Sequence, residues 1–168
     1  RVQKRDIETG KDTPQGNATL AVATFVIINE SEGNVVVDGT EYAPGETVWE
    51  MITDANGLAQ TDADALPYGT YTIKETAGPN GYLNEGTVER TFVIREDGVI
   101  VDMTGEDQSI KNDVIRGGFS VQKRDFDTGS TTPQGDALIQ ATFEVVNESS
   151  HAVVVEGTEY APGAVVYT

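Results

Sequence analysis

Three polar side chains fall where strand alternation would place apolar ones, and their types belong together chemically. Side chains at i, i+2 and i+4 share one face of a β-strand. In TYTIKET, residues 70–76, Tyr71, Ile73 and Glu75 share a face, while Thr72, Lys74 and Thr76 take the other. In the opening segment Val2 and Lys4 lie together, with Gln3 and Arg5 opposite; further on, Ile110, Asn112 and Val114 lie together, with Lys111 and Asp113 opposite. Lys4, Glu75 and Asn112 are thus an amine, a carboxylic acid and a carboxamide at interior parity. Taken singly, each reads first as a strand end whose polar tip reaches water, because charged residues are rarely buried. Taken together they have a chemistry. Burial disfavours charged forms, lowering a lysine pKa and raising a glutamate pKa. A neutral amine is a nucleophile, and a neutral acid can donate a proton to an amide carbonyl. The lysine would attack the asparagine side-chain carbon, expel ammonia and leave an isopeptide bond, with proximity in a dry core supplying the rate.

The elements that must position these residues are nearly all strands. TFVIIN (24–29), TVWEMIT (47–53), TYTIKET (70–76), RTFVIRE (90–96) and QSIKNDVI (108–115) are rich in β-branched and aromatic residues. Turn signals separate them: EGN, APG, DANG, PYG, GPNG and EDG. No amphipathic helical stretch stands out, and TDADAL makes at most one short turn. Short strands at this spacing predict an all-β, antiparallel sandwich.

A repeat organises the chain. VQKRDIETGKDTPQG (2–16) returns as VQKRDFDTGSTTPQG (121–135); after a one-residue deletion, ATFVIINES returns as ATFEVVNES and VVVDGTEYAPGETVW as VVVEGTEYAPGAVVY. The chain therefore reads as one complete module, residues 1–116, and the N-terminal part of a second, residues 117–168. A unit of that length is a domain rather than a solenoid turn. Lys123 is the repeat counterpart of Lys4 and is expected to share its inward parity beside Val121. Counterparts of Glu75 and Asn112 do not occur before Thr168, so Lys123 is expected to be unlinked. The partial module's apolar faces are expected to need cover from another copy, the first module or residues outside this sequence.

Composition removes whole classes of function. Among 168 residues, 11 Lys and Arg face 28 Asp and Glu, a net charge of −17. That balance repels nucleic acid and anionic membranes. No cysteine is present, which excludes disulfides, zinc–thiolate sites and thiol catalysis, and the one histidine, His151, leaves no pair for a metal. No apolar run approaches the roughly 20 residues of a membrane span, and no secretion signal opens the chain.

LPYGTYTIKETAGPNGY, residues 66–82, resembles the signature of the Cna B-type (SpaA-type) domains of Gram-positive surface adhesins and pilins. Leu66, Gly69, Tyr71, Ile73, Glu75, Thr76, Pro79, Gly81 and Tyr82 match, while Gly78 stands where the family usually has alanine. VQKRDIETG resembles the family's opening strand, and SIKNDVIRGG its closing strand. The resemblance implies a reversed immunoglobulin-like sandwich with Lys4 as nucleophile, Asn112 as acceptor and Glu75 as the proton-shuttling acid. It also implies a cell-wall-attached, extracellular stalk or spacer in which neighbouring repeats are the partners. The alternative is an adhesin module gripping a host protein or glycan, which a large exposed aromatic patch would favour. Turnover of external substrates is not expected, and no cofactor or metal is called for.

Other signals read more plainly. DANG (54–57) and TDADA (61–65) are oxygen-rich but lack the calcium-loop spacing and read as solvated turns. Trp49 and its counterpart Tyr167 read as core or edge packing before a sugar platform. His151 replaces Gly33 near a hairpin tip and reads as a surface residue.

Overall fold

β-branched and aromatic runs broken by Gly, Pro and Asn turns leave the backbone little choice but strands. A computed structural model of the chain describes residues 1–84 and 88–168, and among these every regular element is a strand. The chain forms two compact units, Arg1–Ile115 and Arg116–Thr168.

Unit 1 is a β-sandwich. One sheet has the order β5-β2-β7-β8, from β2 (Thr24–Asn29), β5 (Thr47–Ile52), β7 (Gly69–Ala77) and β8 (Glu89–Ile94), all antiparallel. The other places β1 (Val2–Asp6) between β6 (Leu58–Ala59) and β9 (Ile110–Asn112). A hairpin of β3 (Val35–Val37) and β4 (Thr40–Tyr42) completes the unit. Between these strands pairing is antiparallel save for β1 with β9, which run parallel with Lys4 opposite Ile110 and Asp6 opposite Asn112, and Val2 adds a parallel bridge to Met103. The first and last strands of the module are therefore neighbours, an arrangement that parallel pairing allows only across a long crossover.

The inward faces of β1, β2, β7 and β9 supply Val2, Phe25, Ile27, Tyr71, Ile73 and Ile110, each almost wholly buried. On β7 the alternation is as the sequence implies, with Tyr71, Ile73 and Glu75 inside and Thr76 outside. Lys4 and Glu75 lie among the most deeply buried side chains. On β1 both faces are covered: Gln3 is buried as well, donating to the carbonyls of Lys4 and Asn56.

Unit 2 contains β10 (Val145–Val146), β11 (Val153–Val155), β12 (Thr158–Tyr160) and β13 (Val165–Tyr167), paired β10–β13 and β11–β12. These are the counterparts of β2–β5 and β3–β4. The segment corresponding to β1 forms no strand, and the expected inward parity of Lys123 is not found. Lys123 and Val121 are exposed, and among the described residues the lysine ammonium donates to the Arg124 carbonyl of its own segment. The reason is topological. In unit 1, β1 is held on both edges by β6 and β9, and residues 116–168 contain no counterpart of either. Phe126 is fully exposed, and Phe119 and Leu138 are mostly so.

What does survive in unit 2 is local. Asn147 repeats the work of Asn29, its Nδ2 bonding the carbonyls at 151 and 160 as Asn29 bonds those at 33 and 42. His151 thus enters that turn through its backbone carbonyl, as Gly33 does. Hydrogen exchange on the intact chain should show the contrast. Amides of Phe25, Ile27 and Ile73 should resist exchange up to the global unfolding limit, while those of Val121, Gln122 and Lys123 should exchange at nearly unfolded rates.

Candidate functional site: a buried amine, carboxylate and carboxamide

Glu75 reaches the core because β7 carries it on the same face as Ile73, directly opposite Phe25 of β2. Lys4 descends from β1 in the facing sheet. Its Nζ lies 2.8 Å from Glu75 Oε1, with both side chains fully buried, and 5.9 Å from the centre of the Phe25 ring. Asn112, from the neighbouring β9, is buried too, and its Nδ2 donates to the Leu83 carbonyl at 2.8 Å. The amine–carboxylate distance is that of an ion pair, but the angles do not make a hydrogen bond. Lys4 Nζ, both Glu75 oxygens and Asn112 Oδ1 are all buried without one. Such atoms normally find partners, and an ion pair taken out of water recovers its desolvation only when its remaining hydrogen-bonding capacity is met. Burial pushes the Lys4 amine below its ordinary pKa, with the attraction of Glu75 opposing.

Phe25 was not singled out by sequence, although the alternation of TFVIIN puts Phe25, Ile27 and Asn29 on one face. A second feature lies beside the first. Asp6, also fully buried, sits two residues beyond Lys4 and opposite Asn112. It accepts hydrogen bonds from the Thr9 amide at 2.8 Å, from Gln15 Nε2 at 3.0 Å and from the Tyr82 hydroxyl at 3.0 Å. Asp6 was not singled out by sequence, although alternation along VQKRD puts it on the face of Lys4, and only the fold shows that Tyr82, the last residue of the 66–82 motif, reaches it. Gly78, where alanine is usual, faces the amide of Asn112. A Cβ there would lie 3.5 Å from Nδ2 and 3.3 Å from Asn84 Cβ, so alanine fits with a small adjustment.

The remaining motif residues take structural places. The Asp54 carboxylate accepts the amides of Asn56 and Leu58, bonds that hold its pKa below the usual carboxylate value and close the DANG turn. Gly57 of that turn adopts φ +73° and accepts the Lys4 amide at 2.8 Å. The turn is thus the outer support of the lysine strand. Trp49 is half-buried against the core, whereas Tyr167 is about half exposed in unit 2. No group of three or more acidic or histidine side chains suited to a metal occurs among the described residues.

The two-sheet sandwich thus holds Lys4 against Glu75 inside its core, with Asn112 buried on the strand beside Lys4. Residues 5–109 match the SpaA family, a prealbumin-like fold domain, and the chain belongs to that family. No curated protein matches the chain. Domains of this family are structural modules of pilin and adhesin type, typically parts of surface proteins. The matched span includes Glu75 but begins at Arg5 and ends at Ser109, leaving Lys4 and Asn112 outside it. Membership therefore establishes the fold, and the cross-link has to be argued from the site.

Two measurements probe the supports of Lys4. A Cβ at residue 57 would lie 2.8 Å from Leu20 Cβ and 3.3 Å from Lys4 Cβ, on a left-handed backbone. Gly57→Ala should therefore lower unfolding free energy by about 2 kcal/mol or more in denaturant titration. The second concerns pH. In Glu75→Gln the opposing charge is gone, so folded Lys4 holds its proton less tightly than the unfolded chain, whose lysine keeps the ordinary 10.5. The unfolded state then binds more protons between the two pKa values, and stability must rise with pH through that window. Relative to Lys4→Met/Glu75→Gln, the single variant should gain stability steadily as pH climbs towards 10.5.

Proposed function

We propose that the chain is a stalk or spacer segment of a repetitive, cell-wall-attached surface protein of a Gram-positive bacterium, adhesin or pilin-like. Its complete module is closed by a Lys4–Asn112 isopeptide bond that forms once, with Glu75 as proton shuttle. The observation that carries this reading is that, of the five buried side-chain polar atoms without hydrogen bonds among the described residues, four belong to this amine, carboxylate and carboxamide, the fifth being Arg5 Nε. A structural ion pair would be expected to satisfy its own groups. A reactive set need not, because reaction removes them.

The steps balance. A proton passes from the Lys4 ammonium to Glu75 across the 2.8 Å contact, leaving a neutral amine and a neutral acid. Nζ attacks Cγ of Asn112 while Glu75 gives its proton to Oδ1 as the carbonyl π bond opens. The carbonyl then re-forms as Oδ1 returns its proton to Glu75, one proton passes by way of Glu75 from Nζ to Nδ2, and the Cγ–Nδ2 bond breaks to release ammonia. Glu75 finishes as a neutral acid beside one secondary amide. An ammonium and a free carboxamide, both awkward in a dry core, no longer exist. Preorganisation supplies the rate, and the product cannot turn over.

The placement suits load-bearing. β1 and β9 are the terminal strands of the module and hydrogen-bonded neighbours. Tension applied through the chain ends reaches those strands first, and an amide between them carries it covalently. Restricting an unfolded loop of about 100 residues adds roughly 4–5 kcal/mol by analogy with a disulfide, with no dependence on redox state. In unit 1 Tyr68 is the only aromatic side chain counted as exposed among the described residues, which favours a spacer over a ligand platform. A chain charge of −17 discourages association between modules.

Intact mass tests the proposal. The purified chain should weigh one ammonia less than its sequence, and a tryptic digest should yield the Lys4 and Asn112 peptides as one branched species. A full sequence mass with the two peptides separate would end the proposal. Glu75→Gln and Glu75→Ala should restore the full mass, keep the fold and lower Tm by roughly 15 °C or more.

A further inference from the structure

Asn112 reacts only if its carboxamide is presented the right way round, and the structure shows what does the presenting. Its Nδ2 is held by the Leu83 carbonyl, which leaves Oδ1 as the atom without a partner. Leu83 is in turn fixed by its neighbours. The Leu83 amide donates to the Asp113 carbonyl at 2.7 Å, Tyr82 bridges Val114, and the Ile115 amide donates to Gly81 at 2.9 Å. Residues 81–83 therefore run as a short antiparallel splint along residues 113–115. One side-chain anchor ties this splint to the lysine strand. The Tyr82 hydroxyl donates to Asp6 Oδ2 and accepts the Gln15 amide at 3.3 Å.

We propose that Tyr82, anchored on Asp6, is a positioning residue for bond formation: it sets the Leu83 carbonyl that orients the Asn112 carboxamide relative to Lys4. This inference rests on the cross-link reading above. Tyr82 touches none of the reacting atoms. It fixes the splint against β1, so that the leaving nitrogen faces a carbonyl acceptor and Oδ1 is left for protonation. The Leu83 carbonyl accepts an N–H from Nδ2 in the amide and still has an N–H to accept when that nitrogen departs as ammonia.

Unit 2 shows that this role is separable from folding of the loop. Asp125 there repeats Asp6, accepting the Thr128 amide at 2.9 Å and Gln134 Nε2 at 2.9 Å. The backbone bonds recur as well: Asp125 to Ser130 and Gly129 to Asp125 reproduce Asp6 to Lys11 and Gly10 to Asp6. No residue of unit 2 corresponds to Tyr82, yet the loop has the same form. The Asp–Gln loop thus builds itself, and tyrosine adds the tie between loop and splint. Burial, and then the nearby Asp6 carboxylate, hold the Tyr82 phenol above its ordinary pKa, so it remains a donor through the working range.

The test is the time course of ammonia loss, read by intact mass after a pulse of cell-free synthesis of the full chain. Wild type is compared with Tyr82→Phe, Asp6→Asn and Val37→Ala, the last a buried core truncation in the β3–β4 hairpin, outside this network. Tyr82→Phe, with wild-type circular dichroism, should link on the order of tenfold or more slowly, as expected for a misoriented reactant. Asp6→Asn should slow in the same way, and it decides alone if Tyr82→Phe fails to fold. Val37→Ala should melt lower yet link at the wild-type rate. Linking at the wild-type rate in the folded Tyr82 or Asp6 variant would overturn the inference, as would equal slowing in Val37→Ala. A wild-type chain that never loses ammonia would instead overturn the cross-link reading, and this inference with it.

Discussion

A fully buried amine governs the interior of unit 1. Lys4 Nζ lies in a core otherwise made by Val2, Phe25, Ile27, Ile73 and Ile110, and the groups that meet it are a carboxylate and an aromatic face. Much of the surrounding architecture can be understood from that constraint. β1 has to be an inner strand of its sheet, because an edge strand would let the lysine reach solvent. Being inner, it needs two neighbours, and these come from distant parts of the chain: β6 through the DANG turn and β9 from the end of the module. Gly57 is required where the turn presses against Leu20 and Lys4. Gln3, on the opposite face of β1, is also covered and bonded.

The second unit displays the same logic with its non-local terms missing. Asp125, Gln134, Asn147 and Gly163 repeat the bonds of Asp6, Gln15, Asn29 and Gly45, because those partners lie within a few to about sixteen residues of one another. The β11–β12 hairpin keeps the register of β3–β4. What fails to form is the strand bearing Lys123. Its five residues, VQKRD, are those of β1, so intrinsic propensity is not what distinguishes them. Strand formation here is decided by long-range pairing, and a half-buried strand without partners gains too little to offset the entropy of ordering it.

That difference also explains how much could be read in advance. The all-β class, the repeat and the inward face of β7 were legible because alternation and turn chemistry are local signals. Glu75 was legible for the same reason, lying in line with Tyr71 and Ile73. Parity also pointed to Lys4 and Asn112, which β1 and β9 bring onto neighbouring strands. Its application to Lys123 failed, since parity has no meaning where no strand forms. The parallel sense of β1 and β9 was not visible in either segment, because direction is a property of the path between them. Nor was the bond from Tyr82 to Asp6, which spans most of the module. Asp54, by contrast, is a case where composition hinted at a ligand site and geometry assigned turn closure, its oxygens taken by the backbone.

The buried trio also bears on why a module like this carries no cysteine. A disulfide needs only two thiols at a set distance and an oxidant, and it reopens in a reducing medium. The proposed isopeptide would need three side chains from three strands, so it would form only after both sheets had docked around Phe25. The chemistry would therefore be gated by folding itself: a misfolded chain leaves Lys4 protonated in water, where the ammonium is no nucleophile. Burial that destabilises the ammonium before reaction is thus the same burial that restricts reaction to the native arrangement. The desolvation of Lys4, a penalty in any unlinked state, would become the means of proofreading the fold that the proposed bond makes permanent.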